Sequence, residues 1–137
     1  MKTLVAYASK GGTTEKYAQD ISKILKADIV NLRKDNPDIS NYDMIIVGFG
    51  IRIGKAYKEA IDFLKNDFKN KKVAIFISSL EPENIVKKKY VEPIIESNPT
   101  LKPIAIGIFG GRLKLLWKTI DKTNLDNAKK WAEELKN

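Results

Sequence analysis

The sequence contains neither cysteine nor histidine. This excludes disulfides, thiol nucleophiles, zinc sites built from the usual ligands, and every Ser-His or Cys-His catalytic device. Any chemistry must come from carboxylates, lysine, tyrosine, backbone groups or a borrowed cofactor, and no metal site is expected. Long hydrophobic runs are also missing. The stretches MIIVGFGI and PIAIGIFGG fall far short of the roughly 20 residues that a membrane-spanning helix needs. The opening MKTLVAYAS is strand-like and lacks the charged, apolar and small-residue order of a secretory leader. A cytoplasmic location is therefore expected, with peripheral contact at a membrane surface left open. No tandem repeat, low-complexity linker or composition break marks a second unit, so a single domain over residues 1–137 is expected.

What is present suits a packed soluble core: 43% of the residues are apolar and 31% charged. The 25 Lys and Arg outnumber the 17 Asp and Glu, for a formal net charge of +8. Such an excess attracts anionic ligands, acidic proteins, nucleic acid or anionic lipid, and charge alone does not choose among them.

The apolar pattern alternates between two periods. TLVAYAS is a short apolar run, and TEKYAQDISKILK then places Tyr17, Ile21, Ile24 and Leu25 on one helical face. ADIVNL and MIIVGFG predict the next two strands, the latter buried on both faces. Helical spacing returns through Tyr57, Ile61, Leu64 and Phe68. KVAIFISS predicts a fourth strand, ENIVKKKYVEPIIES a helix limited or bent by Pro93, KPIAIGIFGG a fifth strand, and LDNAKKWAEELK a closing helix. The lysines of VKKKY read as the solvated face of their helix. Five strands alternating with helices imply an α/β domain with a parallel sheet covered on both faces.

In such a sheet ligands bind beyond the carboxyl ends of the strands, which selects the loops SKGGTTE, GFGIRIGK, SSLEPE and GGRLKLLW. In the first, Gly11 and Gly12 allow close backbone approach, Ser9, Thr13 and Thr14 supply hydroxyls, and a helix N-terminus follows. A terminal phosphate suits these groups, and so does a plain strand-to-helix turn with capping hydroxyls. The loop is not a nucleotide triphosphate P-loop, because no Lys followed by Ser or Thr occupies the required place. It also lacks the third glycine of the dinucleotide fingerprint.

SKGGTT is similar to the Ser/Thr-x-Thr-Gly-x-Thr phosphate loop of flavodoxin-like proteins. Ser9, Gly12 and Thr14 match, and Gly11 stands where a central hydroxyl is usual. The resemblance covers the whole chain through its strand and helix order. GFGIRIGK and IGIFGGRLKLLWKTID more narrowly resemble segments of menaquinone-dependent protoporphyrinogen oxidases, although the chain is shorter before its final helix. This implies a flavodoxin-like three-layer sandwich with strand order 2-1-3-4-5 and an FMN cofactor. Ser9, Lys10, Gly11, Gly12, Thr13 and Thr14 would cradle phosphate. Gly50, Ile51, Arg52, Ile53 and Gly54 would border one side of the flavin, and Ser78, Ser79 and Leu80 the other. The aromatic pair that commonly sandwiches flavin is not evident at these loop tips. By the same resemblance, Arg52 would raise the reduction potential from the flavin edge; otherwise it is a surface arginine paired with a carboxylate.

GGRLKLLWK combines Arg112, Lys114 and Lys118 with Leu113, Leu115, Leu116 and Trp117. It is either a helix or turn that buries its leucines, or a basic apolar patch for a quinone, a porphyrinogen carboxylate, an acidic redox partner or a membrane. The function implied is FMN-dependent electron transfer with a redox partner or small acceptor, quinone included, with no catalytic residue assigned. Tyr57 and Glu81 are read as packing or capping groups. A quinone-linked protoporphyrinogen oxidase is the alternative within the family. A receiver-like module would need carboxylates clustered at strand ends, where this chain has YAS and GFG. A flavin-free basic module for nucleic acid is suggested by charge alone, without a base-reading motif.

Overall fold

The computed structural model describes residues 1–10, 12–52 and 54–136. Strands β1 (Thr3–Ala8), β2 (Asp28–Asn31), β3 (Met44–Arg52), β5 (Lys72–Ser79) and β6 (Ala105–Gly110) form a parallel sheet in the order β2-β1-β3-β5-β6. Counting only these five, this is the 2-1-3-4-5 order expected. Two additions were not legible: β4 (Lys55–Ala56), which folds back antiparallel on the end of β3, and a hairpin of β7 (Arg112–Lys114) and β8 (Thr119–Asp121).

Strand periodicity of two divides the core between the sheet faces. Leu4, Ala6, Ile45, Val47, Phe49, Val73, Ile75 and Ile77 point to one side, where they meet Ala60 and Phe63 of α2 (Lys58–Phe63), Val86 of α3 (Glu83–Val86) and Ile94 of α4 (Glu92–Ser97). Val5, Tyr7, Met44, Ile46, Ala74, Phe76 and Phe109 occupy the other. They pack on Tyr17, Ala18 and Ile21 of α1 (Gly12–Leu25) and on Ala128 and Ala132 of α5 (Leu125–Leu135). Helices on both faces make the three layers.

Two helices differ from expectation. The second ends at Phe63 rather than continuing to Phe68; Leu64 caps it, and Phe68 reaches the core from the following turn, packing edge-on to Phe63 at 6.1 Å. The third does not simply stop or bend at Pro93. A π-helical turn, Lys87–Val91, joins α3 to α4 just before the proline. Proline has no N–H and crowds the carbonyl four residues back, and the wider turn accommodates both defects.

Tyr17 ties the layers together near the carboxyl edge. Its ring is fully buried, its hydroxyl donates to the Gly110 carbonyl at 2.5 Å, and the same oxygen accepts the Asn124 N–H at 3.1 Å. Burial pushes the Tyr17 phenol up, so it stays a neutral donor. Among the described residues, no helix is long and apolar enough to cross a membrane.

Candidate functional site

The strand register brings Gly50 level with Ser78, and Ser79 level with Gly110. The four carboxyl-edge loops therefore meet, and they enclose a cleft of about 630 Å3, within the range of small-molecule sites.

The turn from β1 to α1 supplies Ser9, Lys10, Gly12, Thr13 and Thr14 to the first wall. Because α1 starts at Gly12, its first amides lack intrahelical acceptors, and the positive end of its dipole lies at this turn. Thr14 is only 2% exposed, and its Oγ1 lies 2.6 Å from Ser78 Oγ. These two hydroxyls hold two protons. One closes the bond between them, which leaves the other for a third group. The Lys10 N–H donates to Tyr57 Oη at 3.0 Å, joining this wall to the next.

Gly50, Ile51, Arg52, Gly54 and Tyr57 form the second wall. Here β3 outruns its neighbours and doubles back on β4, with Arg52 level with Lys55 and a positive φ of 71° at Gly54. Gly50 has a steric reason to be glycine: a Cβ there would lie 3.0 Å from Thr14 Oγ1 and 3.5 Å from Ser78 Oγ. Arg52 is exposed, and among the described residues no carboxylate pairs with it. The carboxylate pairing considered for it is thus not found there.

The third wall is Ser78, Ser79, Leu80 and Glu81. Ser79 Oγ accepts the Glu81 N–H at 3.0 Å. The Glu81 carboxylate accepts the Tyr90 hydroxyl at 2.7 Å and faces Lys89 at 3.8 Å. Glu81 thus has a packing role, and it is the sole acidic side chain on the cleft among the described residues. Against it stand Lys10, Arg52, Arg112 and Lys114, so the cleft favours anions.

Gly111, Arg112, Leu113 and Lys114 of the hairpin close the fourth side. The Gly111 N–H donates to the Ser79 carbonyl at 3.0 Å, and the Lys122 N–H to the Gly111 carbonyl at 2.9 Å, which seats the hairpin on the sheet edge. The hairpin is neither a helix nor a turn that buries its leucines. Leu116 is 101% exposed and Trp117 77%.

Every described residue expected to hold the cofactor lines this one cleft: Ser9, Lys10, Gly12, Thr13, Thr14, Gly50, Ile51, Arg52, Gly54, Ser78, Ser79 and Leu80. Gly11 and Ile53 lie outside the described residues. The cleft also takes in Tyr57, read from the sequence as a packing or capping group, and Gly111 to Lys114 of the loop GGRLKLLW, which the sequence placed at the ligand edge without assigning its residues to the cofactor. Their signal was the glycine pair ending the fifth strand.

Tyr7 holds the base of the first wall, since its hydroxyl donates to Glu15 Oε1 on α1 at 2.9 Å. Burial, followed by the Glu15 carboxylate, pushes the Tyr7 phenol up to about 12. Its contribution to stability is full below the unfolded value of about 10 and is lost as pH rises through about 12. Urea denaturation should therefore show Tyr7→Phe clearly less stable than wild type at pH 9. The gap should narrow through pH 11; a gap that widens would contradict this assignment.

A helix N-terminus and a cationic cleft at the edge where β1 and β3 diverge define a doubly wound α/β protein with a cleft at its topological switch point. Residues 4–132 match the family model described as flavodoxin domain, and the chain belongs to that family. It is 47% identical over 79 residues to an uncharacterised protein of Methanocaldococcus jannaschii, covering 56% of this chain and 53% of that one. It is 31% identical over 71 residues to the protoporphyrinogen IX dehydrogenase [quinone] of Escherichia coli strain K12, covering 47% of this chain and 39% of that one. The matches thus span about half or less of these relatives. The fold is similar to that of a Fusobacterium nucleatum flavodoxin bound to flavin mononucleotide, with a TM-score of 0.62, 16% identity and coverage of 99% of this chain and 98% of that one.

Proposed function

We propose that this chain binds flavin mononucleotide in the carboxyl-edge cleft and exchanges electrons with a redox partner or small acceptor. The observation that carries this reading is the meeting of the α1 N-terminus, with its Ser9, Thr13 and Thr14 hydroxyls, and three further loops in one cationic cleft. The residues suit the group. The amides at the start of α1 and the hydroxyls beside them fit a phosphate, the missing Cβ of Gly50 keeps the floor open, and Ile51, Leu80 and Leu113 offer apolar surface to a ring system. Membership of the flavodoxin-domain family and the flavin named for the Fusobacterium protein support the choice of cofactor. When bound, flavin mononucleotide supplies reversible electron uptake, and the protein's part is binding, orientation and electrostatics.

Arg52, exposed on the cleft wall and, among the described residues, facing no carboxylate, is one of the cleft's cations suited to favour a more negative reduced cofactor. Arg52→Ala should lower the midpoint potential by about 30 to 60 mV, the equivalent of a few kcal/mol of lost charge stabilisation for two electrons. Spectroelectrochemistry reads this directly, and an unchanged potential would remove Arg52 from that role.

The test of the function is reduction of the reconstituted protein followed by reoxidation with a one-electron acceptor such as ferricyanide. Reversible bleaching and recovery of visible absorbance is expected, whereas a bound flavin inert to both reagents would exclude electron exchange. The similarity to protoporphyrinogen IX dehydrogenase favours a second reading, oxidation of protoporphyrinogen with quinone as acceptor. Absence of such turnover by a protein carrying reducible flavin would remove it.

A further inference from the structure

The β7–β8 hairpin carries an apolar tip that the fold does not use. Its strands pair Leu113 with Ile120 and Lys114 with Thr119, and the Leu115 N–H donates to the Lys118 carbonyl at 2.7 Å. Leu116 and Trp117 thus form the turn itself, where glycine, asparagine or aspartate is usual. Leu116 is 101% exposed, Trp117 77% and Leu113 45%. The other large exposed apolar residues, Met1, Ile29, Ile85 and Ile104, are scattered along the chain. The hairpin segment 112–122 also carries Arg112, Lys114, Lys118 and Lys122 against one carboxylate, Asp121, which faces Arg112 at its base at 3.5 Å.

We infer that this hairpin docks the protein on an anionic phospholipid surface, with Leu116 and Trp117 entering the headgroup layer and the flanking lysines meeting lipid phosphates. Charge complementarity selects the occupant. An aromatic and a leucine on a hairpin that carries these cations combine the two weak signals, apolar insertion and basic attraction, that together hold a protein at an interface. Tryptophan suits the boundary between headgroup and acyl chain, because its ring is apolar and its N–H is polar. Since Arg112 to Lys114 also line the cleft, docking brings the cleft beside the lipid. The inference holds whether or not the cleft carries flavin.

The test is cosedimentation of the whole chain with vesicles of equimolar phosphatidylcholine and phosphatidylglycerol, read together with tryptophan emission. The chain has two tryptophans, and Trp131 packs at 5.7 Å from Phe109 inside the fold, which leaves Trp117 as the reporter at the tip. Binding should come with a blue shift that brominated lipid quenches. Trp117→Phe should lose the shift yet still sediment. Leu116→Ser with Trp117→Ser should weaken binding at least ~10-fold, and pure phosphatidylcholine should weaken it at least ~10-fold. Because both tip side chains lie outside the core, these variants should keep the wild-type melting curve.

Three results overturn the inference. Failure to sediment at low salt would assign the tip to an acidic protein partner. Equal binding by the double serine variant would reduce the contact to charge adsorption. A blue shift that grows with protein concentration, without vesicles, would put a second copy of this chain over the tip.

Discussion

Gly110→Ala is expected to lower the melting temperature by roughly 10 °C, corresponding to about 3 kcal/mol. A Cβ at this position would lie 1.8 Å from the Lys122 carbonyl oxygen and 2.5 Å from its carbon. Both atoms belong to backbone that cannot step aside cheaply. The Lys122 N–H is bonded to the Gly111 carbonyl, Gly110 is paired with Ser79 across the sheet, and its own carbonyl accepts the Tyr17 hydroxyl. Any shift that relieves the clash loosens the hairpin, Tyr17 and the end of β6 together. Gly12→Ala is the control, because nothing lies within 4 Å of a Cβ there. Its stability should stay within about 0.5 kcal/mol of wild type, as at an ordinary exposed position. Differential scanning calorimetry distinguishes the two, and equal melting temperatures would show that the hairpin is not seated as described.

Thr13→Glu should abolish tight flavin mononucleotide binding while sparing the fold and the affinity for riboflavin. Thr13 lies half-buried in the first turn of α1, where a carboxylate interacts favourably with the helix dipole. The folded protein should therefore be as stable as wild type or slightly more so. The same carboxylate would occupy the anion end of the cleft and repel a phosphate dianion. At an effective dielectric constant of about 20 that repulsion amounts to about 3 kcal/mol or more, which weakens binding at least ~100-fold. Riboflavin has no phosphate and should be indifferent. Parallel fluorescence titrations give both affinities. A proportionate loss for the two ligands would indicate that the carboxylate distorts the cleft rather than repelling an anion.

The difference between these two sites shows what the sequence could reveal. Ser9 to Thr14 were legible because a strand, small and hydroxyl-bearing residues and a helix follow one another, and each step has a local physical cause. Gly50 could be placed at the carboxyl edge, but not explained. Its reason for lacking a side chain is Thr14, 36 positions earlier, whose hydroxyl occupies the space in three dimensions. Gly48, two residues before it, is glycine for another reason, since a Cβ there would enter the ring of Phe76. Nothing local distinguishes them.

The hairpin escaped for the opposite reason. RLKLLWKTID has the leucines of a buried element, yet Leu116 and Trp117 take turn positions where periodicity does not predict exposure. The π-helical turn before Pro93 was hidden too, because the sequence marks the defect and not how the backbone absorbs it. The parallel sheet covered on both faces, by contrast, followed from the alternation of buried β-branched runs with helices and short crossovers, and its strand order from the resemblance to flavodoxin-like proteins.

The most direct measurement is titration of the flavin-free, folded protein with flavin mononucleotide and with riboflavin, followed by quenching of flavin fluorescence. Saturable one-to-one binding is predicted, tighter for the phosphorylated ligand by at least ~100-fold, because the amides and hydroxyls at the start of α1 act only on a phosphate. A folded protein that binds neither ligand, or binds both equally, would contradict the assignment of the cleft.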